Sequence, residues 1–195
     1  MIHESAMIRI ILQSARDAWM PWRKWGYKPV PDSWFKSNKY LRLLVIAGGI
    51  ILLDQITKAL ILATLPLYET VPVIPGFFNI THIHNPGGAF GFLAGHSALW
   101  RYFVFLFISA IAVGLIFYFY KNTANDQLSL SVGFALILGG AIGNMIDRVR
   151  FGKVIDFLDF YAGQLHWPAF NVADSAITIG IGIFIYHLVF NKIQY

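Results

Sequence analysis

Seven ionisable residues stand in apolar surroundings along this chain: Asp54, Lys58, Asp147, Arg148, Asp156, Asp159 and Asp174. Asp156 lies within Val154-Ile155-Asp156-Phe157-Leu158-Asp159-Phe160, where an exposed carboxylate would be out of character. Asp174 opens an apolar run in Phe170-Asn171-Val172-Ala173-Asp174-Ser175. Two carboxylates held together with little water cannot both ionise, so they share a proton, one acting as base and the other as acid. Such a pair can hydrolyse an amide. The base takes a proton from water as it attacks the carbonyl, the acid protonates the carbonyl oxygen, and the pair then hands a proton to the leaving amine. Spacing alone leaves the pair open among Asp147, Asp156, Asp159 and Asp174. Other hydrolytic machinery has less support. Cysteine is absent, which removes thiolate nucleophiles and disulfides. His3-Glu4 is followed by Ser5-Ala6-Met7, so an H-E-x-x-H zinc motif fails, and no G-x-S-x-G elbow occurs. The one Ser–Lys pair the sequence allows is Ser175 with Lys153.

Charges at membrane depth cost at least about 2.5 kcal/mol each, so every one of them needs a reason. Asp54 and Lys58, at i and i+4, lie one helical turn apart and can pair, either to lock a helix or to support a nearby site. In Gly139-Gly140-Ala141-Ile142-Gly143-Asn144-Met145-Ile146-Asp147-Arg148, Gly139 and Gly143 allow close helix approach. Asn144, Asp147 and Arg148 follow at i, i+3 and i+4, a polar face unsuited to lipid. Arg148 alone could snorkel to water, but Asn144 is too short to do so. For Asp174 the plain alternative is a helix cap. His82 and His84 share a face of an extended segment, but no third ligand is evident and no metal or other cofactor is expected. Asn79-Ile80-Thr81 matches a glycosylation sequon.

The elements that must position these groups follow from composition. Of 195 residues, 57% are hydrophobic and only 13% charged, far from the roughly one quarter charged of soluble domains. Four stretches read as transmembrane helices: 43–65, 102–120, 128–146 and 175–190. The first, at 23 residues, would be about 34 Å long. The net charge of +5 does not indicate nucleic acid, because 8 of the 15 Lys and Arg residues precede Leu43. With both termini cytoplasmic, inner segments carry ten basic residues and outer loops three, as the positive-inside rule requires. The loops long enough for chemistry, residues 66–101 and 147–174, then both lie outside. No signal peptide is apparent, since Arg9 interrupts the short run Met7–Leu12. Residues 1–38 read as a basic, Trp-rich cytoplasmic extension with an interfacial helix over Met7–Trp19, and residues 39–195 as one membrane domain. The β-branched and aromatic segment Val71 to Asn85 predicts one or two short strands forming a small sheet on the outer surface. The fold class is therefore mainly α, four transmembrane helices with a small extracytoplasmic β-sheet.

The ordered motifs resemble lipoprotein signal peptidase, or signal peptidase II, the bacterial intramembrane aspartic protease family. Asp54-Gln55-Ile56-Thr57-Lys58 is similar to its D-Q-x-x-K, and His84-Asn85-Pro86-Gly87-Gly88-Ala89-Phe90-Gly91 to its N-x-G-x-A-F segment. Gly139 to Arg148 resembles G-A-x-G-N-x-x-D-R, followed by Gly152 to Phe157 for G-x-V-x-D-F and Phe170 to Ser175 for F-N-x-A-D-S. Gly88 stands where many members have alanine, and the first 38 residues match nothing in the family core. The resemblance implies that Asp156 and Asp174 are catalytic and that Asp54, Lys58, Asn85, Gly139, Asn144, Asp147, Arg148, Asn171 and Ala173 support the site or bind substrate. It implies an inner-membrane, multi-pass enzyme with its site near the outer leaflet and a β-cradle over four helices. The implied substrates are diacylglyceryl-modified prolipoproteins, cut just before the lipidated cysteine, and the implied inhibitors are globomycin-type cyclic peptides. Membrane lipid is the other expected partner. Phe90, Phe92, Phe157 and Phe160 are candidates for clamping peptide or lipid, with plain packing the alternative. A proton-coupled transporter subunit is the competing class, but it requires polar residues at mid-depth that the second and fourth spans lack.

Overall fold

The computed structural model describes residues 38–87 and 97–190. The expectations for the N-terminal interfacial helix, for Gly88, for Phe90 and Phe92, and for the final residues fall outside that range. The described chain runs α1 (Lys39–Thr64), β1 (Thr70–Ile74), β2 (Phe78–Asn85), α2 (Ala98–Asn122), α3 (Leu128–Phe151), β3 (Val154–Ala162), β4 (Leu165–His166) and α4 (Val172–Val189). All four helices are long and apolar enough to cross a membrane.

Each helix starts earlier or ends later than its apolar run, because capping groups rather than hydropathy set the ends. Asn38 accepts from the Leu41 N–H to start α1, and Ser97 accepts from the Trp100 N–H to start α2. α3 continues five residues past the expected Ile146, since Asp147 turns into the protein, and stops where Gly152 adopts φ 69°. α4 begins at Val172 rather than Ser175, capped by Asn171.

α3 is the central helix and packs against α1, α2 and α4. Glycine makes this possible, because a Cβ at Gly139 would lie 2.9 Å from the Ala47 backbone, and one at Gly140 would collide with the Ala173 carbonyl oxygen. At the end away from the sheet, Tyr120, Leu130, Phe134, Ala135 and Ile137 form an apolar cluster. Most of α2 instead exposes large apolar side chains such as Phe103, Phe107 and Leu115, as a lipid-facing helix does.

The sheet is larger than the one or two strands expected. Its order is β1-β2-β3-β4, all antiparallel, with Ile83 opposite Asp156 and Asn79 opposite Asp159. β3 and β4 come from the second long loop, so one sheet joins both loops above the helix ends. Ile155 and Phe157 of β3 pack with Ile61 of α1, which ties the sheet to the bundle.

Candidate active site

A buried polar cluster occupies the junction between the sheet and the sheet-side ends of α1, α3 and α4. Its base is ionic. Lys58 Nζ lies 2.9 Å from Asp54 Oδ2 and 2.8 Å from Asp147 Oδ2, so one cation bridges α1 and α3. The same ammonium donates to Asn144 Oδ1 at 3.0 Å. Asp54 Oδ1 accepts the Ala173 N–H at 3.0 Å, and Asp147 Oδ2 accepts the Ile155 N–H at 3.1 Å in addition to its ion pair with Lys58. Charge here fixes backbone on α4 and β3. Gly143 leaves room for it, because a Cβ there would sit 2.7 Å from Asp54 Oδ2.

Above this base lie Asp156, on β3, and Asp174, in the first turn of α4. Neither is salt-bridged among the described residues, and both are held by amides. Asn85 Nδ2 donates to Asp156 Oδ2 at 2.9 Å, and Asn171 Nδ2 donates to Asp156 Oδ1 at 2.7 Å. Asn144 Nδ2 donates to Asp174 Oδ1 at 2.8 Å, and the Asn171 N–H lies 3.3 Å from Asp174 Oδ2. Asn171 thus serves both carboxylates, while its own Oδ1 caps α4 by accepting the Asp174 N–H. Asp174, expected as a helix cap under the plain alternative, is instead the N3 partner of that capping box, and the N-cap is Asn171. Burial pushes the Asp156 carboxyl up to about 7, opposed by the Asn85 hydrogen bond and reinforced by the nearby Asp174 charge.

Arg148 Nη1 donates to the Asn144 carbonyl at 3.2 Å, while its Nε is buried without a partner. The side chain therefore stays with the cluster rather than reaching only for water. Gln55 was not singled out, yet its Nε2 reaches Asp147 Oδ1 at 3.0 Å and Asp54 Oδ2 at 3.2 Å. Its signal was its place inside D-Q-x-x-K.

Other expectations resolve differently. Asp159 is an odd number of residues from Asp156 along a strand, so it faces away. There it accepts from Asn79 Nδ2 at 2.8 Å and pairs with His166 at 2.9 Å. Asn79 is buried, so the sequon's acceptor amide is used inside the sheet. His82 Nδ1 bonds the Leu65 carbonyl at 2.7 Å, which requires it to be the N–H, and His82 Nε2 meets His84 Nε2 at 3.1 Å. Both ring nitrogens of His82 are engaged in hydrogen bonds. Burial, then the Lys153 and His82 charges, hold His84 below the usual histidine range. No cluster of three potential metal ligands occurs among the described residues. Ser175 Oγ donates to the Asn171 carbonyl, a local helix contact. Phe157 is buried in the packing, whereas Phe160 lies among Phe77, Phe78 and Phe170.

Four apolar helices carrying a buried acid–base cluster beneath a small sheet define a multi-pass membrane enzyme. The profile of the Signal peptidase (SPase) II family matches residues 46–190. The chain is 59% identical to the lipoprotein signal peptidase of Desulforapulum autotrophicum over 80% of its length and 97% of that protein. It is 55% identical to the lipoprotein signal peptidase of Syntrophus aciditrophicus over 71% of its length and 86% of that protein. A solved bacterial membrane enzyme, determined by the in meso method at 2.3 Å resolution, superposes with a TM-score of 0.69 at 35% identity, covering 77% of this chain and 89% of that one. The chain belongs to the signal peptidase II family.

Proposed function

We propose that Asp156 and Asp174 are the catalytic pair of this prolipoprotein-cleaving protease. The observation that carries the assignment is Asn171, whose side-chain and main-chain nitrogens reach one carboxylate each. Amide donors satisfy the carboxylates without adding positive charge, which leaves the pair free to keep one proton between them. With the shared proton on Asp156 in the resting state, Asp174 takes a proton from the attacking water as its oxygen bonds to the scissile carbonyl carbon. Asp156 gives its proton to the carbonyl oxygen. Collapse of the tetrahedral intermediate breaks the C–N bond: Asp174 gives the proton it took from water to the leaving amine, and Asp156 takes a proton back from a hydroxyl of the intermediate as the carbonyl re-forms, which restores the pair. Asp54, Lys58, Asn85, Gly139, Asn144, Asp147, Arg148, Asn171 and Ala173 form the support around this pair.

The substrate we propose is a prolipoprotein carrying diacylglycerol on the cysteine that follows the scissile bond. Its acyl chains remain in lipid and fix that bond at the interface. The basic-residue asymmetry supports cytoplasmic termini and a site near the outer leaflet. Residues 39–195 form the peptidase domain in this reading and residues 1–38 a cytoplasmic extension. Globomycin-type cyclic peptides would occupy the same site as inhibitors.

The test is turnover of a diacylglyceryl-modified precursor by purified variants. Asp156→Asn and Asp174→Asn each lose at least about 100-fold to 10,000-fold, while still inserting and binding substrate. Asp159→Asn keeps near-normal turnover, and chelators leave the wild type active because carboxylates fill both proton-transfer roles. Near-normal cleavage by either catalytic-pair variant would refute the assignment.

A further inference from the structure

The end of the bundle remote from the aspartates holds a cavity of about 620 Å³ lined by Leu128, Ser129 and Val132 of α3, Ile183 and His187 of α4, and the preceding Asp126 and Gln127. It is well separated from the site, since Ser129 and Asn144 are 15 residues apart along α3, about 22 Å. Three observations point to a ligand. First, α3 starts without a side-chain cap; the Leu128 N–H is taken by the Asp126 carbonyl, but the Ser129 N–H and the positive end of the helix dipole face an acceptor at this end. Second, His187 is only 7% exposed, bonds Ser129 Oγ through Nε2 at 2.7 Å, and has no partner for Nδ1. A buried polar nitrogen without a partner is uncommon and calls for an explanation. Third, among the described residues of this lining the only formal charge is the exposed carboxylate of Asp126.

A phosphate satisfies the helix terminus, Ser129 and His187, but a purely anionic headgroup would also meet Asp126. A zwitterionic headgroup suits both. We infer that this cavity binds the headgroup of an aminophospholipid, its phosphate against the start of α3 with Ser129 and His187, and its ammonium at Asp126. Leu128, Val132 and Ile183 supply the apolar wall along which an acyl chain leaves the cavity. The site would make lipid a structural ligand of the α3–α4 contact in the leaflet opposite the catalytic pair.

The test is native mass spectrometry of the full chain in detergent, titrated separately with phosphatidylethanolamine, phosphatidylglycerol and inorganic phosphate. Wild type retains phosphatidylethanolamine at least fivefold better than phosphatidylglycerol at equal concentration, and phosphate alone gives no adduct. Asp126→Asn removes that preference, and Ser129→Ala lowers occupancy by both lipids. Both residues are exposed, so the variants keep their fold, and peptide cleavage is unchanged because neither lies in the catalytic cluster. Equal retention of the two lipids by wild type, or an undiminished preference in Asp126→Asn, would overturn the assignment. So would inorganic phosphate binding as well as lipid, because the cavity would then be reading an anion alone.

Discussion

Asp54 and Asp147 share a cation, whereas Asp156 and Asp174, one layer nearer the sheet, are held by asparagines. Asp54, Asp147 and Asp156 are buried and Asp174 is half-buried, and each oxygen in both pairs has a donor. The donors differ in charge. The ammonium holds both carboxylates in place, and they serve as fixed acceptors for backbone N–H groups of α4 and β3. Neutral amides orient carboxylates while leaving their protonation free to change. The lower pair thus builds the frame and the upper pair is left able to carry a proton. Asn144 joins the two, accepting from Lys58 and donating to Asp174.

The contrast breaks most completely at Lys58. Lys58→Met leaves two buried carboxylates without their cation, and removing one partner of such a pair costs about 3 to 5 kcal/mol. Thermal unfolding in detergent will show a large drop in midpoint, and turnover will fall with it. An unchanged midpoint would mean that water reaches the lower pair. Next in size are Asn144→Ala and Arg148→Ala, each expected to destabilise by about 1 to 3 kcal/mol through unsatisfied buried groups. Asn144→Ala should also lower kcat in the fraction that stays folded, because Asp174 loses its side-chain donor.

The smallest effect sharpens the comparison through pH. With Asp156 raised to about 7, activity should decline as pH rises above that value and the shared proton is lost. The Asn85 hydrogen bond favours the charged form, so Asn85→Ala should move this alkaline limb upward, by about one pH unit or less. A downward move in kcat against pH would reverse the proposed role of Asn85.

The helices were legible because spanning a membrane leaves a compositional mark that needs no tertiary information. Their ends were less so, since Asp147 and Arg148 look like the outside of a membrane until their partners are known. The strands β1 and β2 announced themselves by residue type and turns. β3 did not, because Val154, Ile155, Asp156 and Phe157 are all buried and the alternation that marks a half-exposed strand is missing. Within the site, Asp54 and Lys58 could be paired from helical spacing alone. The choice of Asp156 over Asp159 rests on family resemblance, and strand geometry separates the two, with Asp156 facing the cluster and Asp159 the opposite side. The linking role of Asn171 was beyond local reading, since its contacts with Asp156 and Asn144 span 15 and 27 residues.

The central claim is that the amide-held pair shares one proton, and difference infrared spectroscopy tests it most directly. Spectra of wild type minus Asp156→Asn, and of wild type minus Asp174→Asn, are recorded in lipid at pH 6. A carbonyl band of one protonated carboxyl should be present in wild type, be lost or shifted in both variants, and titrate away in wild type as pH passes about 7. A wild-type spectrum with only ionised carboxylate bands for these two residues at pH 6 would contradict the account.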